Sequence, residues 1–316
     1  MISAQFRYPC EPQQLGDDQG RIASYARGDD YHRVLKRLMS AQSDELRRQY
    51  GRRLRLRAIT DSAPMHERHQ AWRMGLGWFG RQGSIISAEH GAASLLAELV
   101  LDVPIERDVT PHPDRCGSCR DCVLACPTGA IAPEGYRVDS RRCISYWTIE
   151  WRGLIPRWIM ERMGDRIFGC DDCTVICPWN RKASAPIPSA LAPRPENIAP
   201  DLLSLLACRE PEQLERRFPN SPVTRPGAVG FVRNVLIALA RAPSDRVHSA
   251  LLQFAHSDES PVLRATAVWS AHRCGLDIDF AVNDPAAEVR GMAEALLSGR
   301  PSEPPSPDYP SESSTF

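Results

Sequence analysis

Eleven cysteines stand in the 316-residue chain, and eight of them fall between Cys116 and Cys177 in a pattern that can hold metal. The first four read Cys116-x2-Cys119-x2-Cys122-x3-Cys126, with Pro127 directly after the last. In this pattern three thiolates wrap one iron-sulfur cluster, while the fourth reaches across to a second. A second set is therefore required, and the sequence supplies Cys143 and then Cys170-x2-Cys173-x3-Cys177-Pro178. The crossed rule assigns Cys116, Cys119, Cys122 and Cys177 to one 4Fe-4S cluster, and Cys126, Cys143, Cys170 and Cys173 to the other. Two zinc sites of four cysteines each are the alternative, since they too use Cys-x2-Cys pairs. Zinc needs neither the third close cysteine nor the x3-Cys-Pro ending, which favours iron-sulfur. Two such clusters move single electrons and do not by themselves choose a substrate.

Other residues with chemical potential lie upstream. Asp61, in TDSAP, reads either as a helix cap, with Pro64 in the first turn, or as a carboxyl at a strand end that donates a proton to a reacting oxygen. GLGWFG, residues 75–80, matches the dinucleotide fingerprint letter for letter, but that fingerprint needs a strand before it and a helix after it. The helical pattern HERHQAWRM precedes it here, so Gly75, Gly77, Gly80 and Gly83 read as a loop that lets backbone approach something large and flat. Tyr146, Trp147 and Trp151 read as core aromatics, and His32 as an ordinary helix histidine.

The elements that must position these groups follow from periodicity. Residues 29–50 place Val34, Leu35, Leu38, Met39 and Leu46 on one helix face, and RRLRLRAIT alternates as a half-buried strand. Residues 183–200 carry five prolines and read as an extended connector. Beyond it, FVRNVLIALARAP, PVLRATAVWSAHRCG and AAEVRGMAEALLSG align Arg233, Arg264 and Arg290 at the start of helical runs, in the manner of short HEAT-type repeats. That arginine column reads as a solvated face or as a phosphate-binding row. Lys+Arg and Asp+Glu balance at 39 each, so a nucleic-acid surface would have to be a local patch. No signal peptide or membrane span is legible, and the chain reads as cytoplasmic with Cys10, Cys208 and Cys274 as ordinary buried thiols.

Taken together, TDSAP, GLGWFG, ELVLD, CGSCRDCVLACPTGAI, RRCISYWTIE and GCDDCTVICPWN closely resemble the epoxyqueuosine reductase family, in order from about residue 1 to residue 182. The resemblance implies an α+β protein: a mixed α/β cobalamin-binding domain over 1–105, a bacterial dicluster ferredoxin-like domain over 106–182 and the Pro-rich connector over 183–200. HEAT-like α-helical repeats that bind tRNA would occupy 201–299, and a disordered tail 300–316. It implies an oxidoreductase that removes the epoxide oxygen of epoxyqueuosine in tRNA, the last step of queuosine synthesis, using cobalamin and two 4Fe-4S clusters. By the same resemblance Asp61 is the proton donor, with a pKa raised by burial. Tyr25, Ile85, Leu96, Val100, Ser145 and the Asp171-Asp172 turn would line the corrin. Cobalamin would be base-off with no protein histidine on cobalt, since Leu35 stands where a D-x-H-x-x-G motif needs glycine. The arginine column would hold the tRNA stem. An external carrier such as flavodoxin or ferredoxin would supply electrons to a monomeric enzyme that needs no membrane.

One departure stands out. Family members carry several dozen residues before the ISARxxY-like stretch, which here is the N-terminus with Met1 at an aliphatic position. The expectation is either that the start codon is placed late or that the chain is truncated, with part of the cobalamin domain missing and cobalamin binding weakened. Two competing readings are a dicluster electron-transfer protein that makes no use of Asp61, and a zinc-stabilised RNA-binding scaffold. Metal content separates the three: iron with cobalt, iron alone, or zinc alone.

Overall fold

The computed structural model describes residues 1–51, 53–105, 109–304 and 306. From the N-terminus, strand β1 (Ile2–Arg7) leads through β2 (Arg21–Ile22) to helices α1 (Tyr31–Ala41) and α2 (Ser43–Tyr50). Strand β3 (Leu56–Ile59), helix α3 (Glu67–Arg73), the hairpin β4 (Trp78–Phe79) and β5 (Ile85–Ile86), and strand β6 (Ser94–Leu101) complete this part. The helix expected over 29–50 is two helices, because Gln42 N–H turns back to Met39 C=O in a tighter bond that redirects the chain. The alternating RRLRLRAIT segment is a strand only from Leu56, and Arg52 lies outside the described residues.

Strands β1, β6 and β3 form an antiparallel sheet with β6 in the middle. Side chains alternate along β6, so Ala97 and Leu99 face Val34, Leu35 and Met39 of α1 in one core, together with Tyr8 and Leu191. Leu96, Glu98 and Val100 therefore point to the opposite face, where α3 lies. Burying side chains such as Leu35 and Leu99 fully supplies roughly 1.5–3 kcal/mol each, which is what fixes α1 on the sheet.

The cysteine-bearing segment contributes α4 (Asp121–Ala125), α5 (Ile144–Ile149), α6 (Arg157–Met163), β7 (Arg166–Phe168) and α7 (Asp172–Val175). Strand β7 pairs in parallel with β2, and Arg21 grips Asp165 at 2.8 Å just before it, which ties this segment to the N-terminal part. Residues 183–200 are no free connector. They form short 3-10 turns at Ser189–Leu191 and Pro195–Asn197, Leu191 is buried in the α1–sheet core, and Arg194 N–H donates to Arg27 C=O. A proline-rich segment can be ordered in this way because its docking needs few backbone donors of its own.

Helices α8 (Leu202–Leu205), α9 (Pro211–Arg217), α10 (Gly227–Leu239), α11 (Asp245–Ser257), α12 (Pro261–Arg273) and α13 (Ala287–Leu297) follow. Nearly all of α10 is buried, as a helix apolar on every side must be, and α12 packs between α10, α11 and α13. One core runs from Ile22 through Trp147, Ile159 and Phe168 into α8–α13, so α5, α6 and β7 share their interior with the helical region. The tail expected to be disordered lies mostly outside the described residues, as do 106–108. Its start is held: Trp158 N–H donates to Ser302 Oγ at 2.8 Å.

Candidate functional site

The fold sorts the eight cysteines. Cys116, Cys119, Cys122 and Cys177 line one pocket with Arg81, Gln82, Ile86 and Trp179. Burial pushes the Cys177 thiol up to about 11, with Cys116, Cys122 and Cys119 adding to the rise. Cys173, on the other side, is raised well above the usual thiol range by burial and then by Cys170, Cys143 and Cys126. Among the eight, these mutual influences stay within the two sets of four that the crossed rule assigns. Helices α4 and α7, which carry the two runs, pack on one another. A set of four thiols around a shared pocket suits a larger group, and thiols raised by burial must lose their protons to it on binding.

Local hydrogen bonds set this arrangement. Asn180 Oδ1 accepts from Ala92 N–H at 2.8 Å and Ala93 N–H at 3.0 Å, while its Nδ2 donates to Thr174 C=O at 2.7 Å. The segment after Cys177 is thereby stapled to the start of β6. Gly91 has a φ of +71°, and a Cβ there would run into Asn180. In the second set, Cys126 Sγ accepts from Ala130 N–H at 3.2 Å, and Cys170 N–H donates to Ser145 Oγ at 2.9 Å. Gly77 and Gly80 let the β4–β5 hairpin close on Ile86 and Gln82, beside the first thiol set. Helix α3 precedes that hairpin and no helix follows directly, as the rejection of a dinucleotide fold requires.

Asp61 follows β3 and caps no helix. Helix α3 starts at Glu67 with His66 at its N-cap, and the bond runs the other way, from Asp61 N–H to Glu67 Oε1 at 2.7 Å. The Asp61 backbone has a φ of +44°, a left-handed conformation that Asp tolerates better than most residues. Its side chain is 67% exposed. The Tyr31 hydroxyl donates to Asp61 Oδ2 at 2.9 Å, and His32 Nε2 stands 3.8 Å from the same oxygen. His32 Nδ1 lies 2.7 Å from Asp30 Oδ1, and Asp30 is the N-cap of α1, accepting from His32 N–H.

These contacts reverse the expectation that burial raises the Asp61 pKa. The His32 imidazole holds the Asp61 carboxyl below the usual range; burial opposes this, and the Tyr31 hydroxyl assists it. His32 is pushed up to about 9, first by its bond to Asp30 and then by Asp61, against the effect of burial. The proton of this group therefore rests on His32 at neutral pH, between two carboxylates. Sequence reasoning took His32 for an ordinary helix residue. The signal available was DDYH, in which an N-cap aspartate sits two residues before a histidine.

The residues expected to line a corrin are partly gathered. Tyr25 packs edge-on to Tyr31 and against Phe168, and Asp171 Oδ2 accepts the Ser24 N–H at 2.7 Å. Ser145 reaches the same neighbourhood through Cys170. Leu96 and Val100 flank Glu98 on the outer face of the sheet, and Glu98 is paired with Ile59, two residues before Asp61. Ile85 is buried in the β4–β5 hairpin, and Asp172 turns to Arg166. One buried oxygen between Leu96 and Val100, Glu98 Oε1, has no hydrogen-bond partner. Burial pushes the Glu98 carboxyl up to about 7. An unanswered buried acceptor beside Leu96 and Val100 would suit a bound group that brings a donor of its own.

Arg233 and Arg264 of the arginine column lie neither on a solvated face nor in an open phosphate row. Arg233 is fully buried and makes five hydrogen bonds, to the carbonyls of Trp147, Trp151 and Gly153 and twice to Asn234 Oδ1. Arg264 holds Asp284 at 2.8 Å and the carbonyls of Asp258 and Glu259, and Arg290 holds those of Asp284 and Pro285. Each arginine anchors a loop to a helix. Of the three aromatics expected in the core, Trp147 is buried, Tyr146 packs on the core edge, and Trp151 is 37% exposed. Among the described residues no helix is long and apolar enough to cross a membrane.

Comparison with known proteins places this geometry. Residues 115–180 match the family described as 4Fe-4S double cluster binding domain, and residues 1–62 match Epoxyqueuosine reductase QueG, DUF1730. The epoxyqueuosine reductase of Shigella dysenteriae serotype 1 is 40% identical over 251 residues, 79% of this chain and 65% of that protein. The chain thus spans slightly under two thirds of that relative's length. The epoxyqueuosine reductase of Vibrio cholerae serotype O1 is 37% identical over 276 residues, 85% of this chain and 73% of that protein. A solved epoxyqueuosine reductase with a tRNA-Tyr epoxyqueuosine-modified tRNA stem loop superposes with a TM-score of 0.84 at 28% identity, covering 94% of this chain and 80% of that one. Sequence and fold agree over most of both partners, and the chain belongs to the epoxyqueuosine reductase family.

Proposed function

We propose that this chain is an epoxyqueuosine reductase, which reduces the epoxide of epoxyqueuosine in tRNA to queuosine with two 4Fe-4S clusters and cobalamin. The observation that carries this reading is the pairing of two separate four-thiol sets with a proton-holding group, Asp30, His32, Asp61 and Tyr31, at the end of the central sheet. When bound, cobalamin would supply the reductive chemistry that opens the epoxide, with electrons delivered singly by the clusters. Tyr25, Ile85, Leu96, Val100, Ser145, Asp171 and Asp172 are the residues proposed to hold it. An external electron donor feeds the clusters, and α10–α13 act as HEAT-like repeats that support the tRNA.

The chain's own part in the reaction is to bind and to move a proton. An opened epoxide leaves an alkoxide oxygen, a strong base, so an acid within hydrogen-bond reach lowers the barrier. Asp61, exposed at the end of β3, is the group proposed to deliver that proton. It is ionised at rest, so the proton it passes on comes from His32, which Asp30 holds in place and keeps charged. Tyr31 fixes the Asp61 carboxylate in the meantime.

Asp61→Asn in a queuosine complementation assay tests the assignment. Queuosine formation is expected to be lost while both clusters still load. Undiminished formation removes Asp61 from the acid role, and iron without cobalt in the purified protein favours the electron-carrier reading instead.

A further inference from the structure

Two side-chain N–H groups beside the first thiol set, Arg81 Nε and Gln82 Nε2, are buried without a hydrogen-bond partner, and a third, Trp78 Nε1, is directed at the Cys116 sulfur. Arg81 and Gln82 line the same pocket as Cys116, Cys119, Cys122 and Cys177, and Trp78 packs with Cys116, Cys177 and Trp179. Trp78 is 1% and Gln82 7% exposed. Leaving one buried donor unpaired costs about 1–3 kcal/mol, so two at one pocket, with a third aimed at a ligand sulfur, call for an acceptor there. Their placement is fixed from outside. Arg81 Nη1 donates to Glu134 C=O and Nη2 to Gly117 C=O, the guanidinium lies over the Tyr136 ring, and Nε is left inside. Gly80 leaves the room in which the Gln82 carboxamide folds against Ile86, since a Cβ at that position would collide with both.

An iron-sulfur cluster is an acceptor of this kind. Its sulfurs gain electron density when one electron enters, and N–H groups aimed at them favour the reduced form more than the oxidised one. We propose that Trp78, Arg81 and Gln82 donate hydrogen bonds to the sulfurs of the cluster held by Cys116, Cys119, Cys122 and Cys177 and thereby raise its reduction potential. The step they tune is a one-electron reduction with no proton transferred and no bond broken. Among the described residues the second set has one buried unpartnered N–H beside it, Arg166 Nε, so these unpartnered side-chain donors gather mainly at the first set. The proposal rests on the ligand assignment made above.

The test is an anaerobic redox titration of the full reconstituted chain with dithionite, followed by electron paramagnetic resonance of each cluster. Gln82→Leu removes one donor with little change of volume. It is expected to lower the reduced-to-oxidised ratio of one cluster about tenfold at a fixed potential, about 59 mV for one electron, with the other couple unmoved. Gln82→Glu keeps the shape and replaces the donor by an acceptor, and is expected to move the same couple further in the same direction. Two clusters present and both couples unmoved in both variants overturn the proposal alone. A parent chain that loads fewer than two clusters, judged by iron and sulfide content, overturns the ligand assignment and the proposal with it.

Discussion

The Tyr31 hydroxyl donates to Asp61 Oδ2 at 2.9 Å, and the neighbouring His32 imidazole approaches that same oxygen from 3.8 Å. Tyr and His are adjacent in sequence and their rings stack at 4.0 Å, so one helix N-terminus delivers both groups to one carboxylate. His32, raised to about 9 from an ordinary value of about 6.5, keeps its proton up to the alkaline side of neutrality. The proton supply should therefore persist below about pH 9 and fail above it. In His32→Asn only the Asp61 proton remains, which leaves at acid pH. The alkaline limb of the pH–rate profile is expected to move below neutrality, and the rate at pH 7 to fall on the order of 100-fold. An alkaline limb that stays in place would show that His32 does not hold the transferred proton.

The same histidine makes a stability prediction of definite sign. Its folded-state pKa is raised, so its contribution is fully present below about pH 6.5 and is lost as pH rises through about 9. His32→Asn is expected to cost about 1–2 kcal/mol at pH 6 and much less at pH 10, measured by urea denaturation.

Glu98 gives the same slope with pH at lower pH, but as a penalty rather than a gain. Burial raises its carboxyl to about 7, so the folded state grows less stable as pH rises from about 4.5 to about 7, where deprotonation is harder than in the unfolded chain. Glu98→Gln keeps an acceptor for the Ser3 hydroxyl and removes the charge. Stability should rise by at most about 3 kcal/mol at pH 8 and stay unchanged near pH 4.5. A variant no more stable at pH 8 than its parent would mean that Glu98 is not buried as an acid.

Arg233 and Arg264 separate support from recognition. Arg233→Met leaves three carbonyls and Asn234 without their donor, and a loss of about 3–5 kcal/mol in urea unfolding is expected. Arg264→Gln should cost about 1–2 kcal/mol by releasing Asp284. Neither guanidinium is free for phosphate, so the salt dependence of tRNA stem-loop binding by Arg264→Gln should match the parent. A slope lower by about one would return Arg264 to the phosphate row.

Asn180 links the clusters to the sheet. Asn180→Ala strands the N–H groups of Ala92 and Ala93, and a loss of about 2–3 kcal/mol is expected. Because the staple fixes the chain just past Cys177, iron should leave the first thiol set while the second retains its own. Full iron content in this variant would show that Cys177 is placed without it.

Much of this could be read from residue order alone. The cysteine spacings sufficed to group the thiols, since a metal centre imposes its spacing on sequence, and the α1 face and the β3 alternation followed from periodicity. The proton-holding group did not follow: Asp30, Tyr31 and His32 lie on one turn, but their partner Asp61 comes from another strand, and local pattern carries no information on that meeting. The arginine column misled because periodicity locates a residue on a helix without saying whether carbonyls from elsewhere await it. Arg233 meets those of Trp147, Trp151 and Gly153 only once α10 is buried. The prolines of 183–200 likewise signal irregular backbone and are silent on whether that backbone docks.

The two thiol sets are threaded through one another along the chain. Three members of the first set, Cys116, Cys119 and Cys122, leave the ribosome early, and the fourth, Cys177, is the last of the eight to emerge. A nascent chain thus holds an open three-thiolate mouth until translation has passed Pro178, and the second set, closed by Cys173, is complete first. On the proposed assignment, the first cluster can be completed only after the segment through Cys177 has been synthesised.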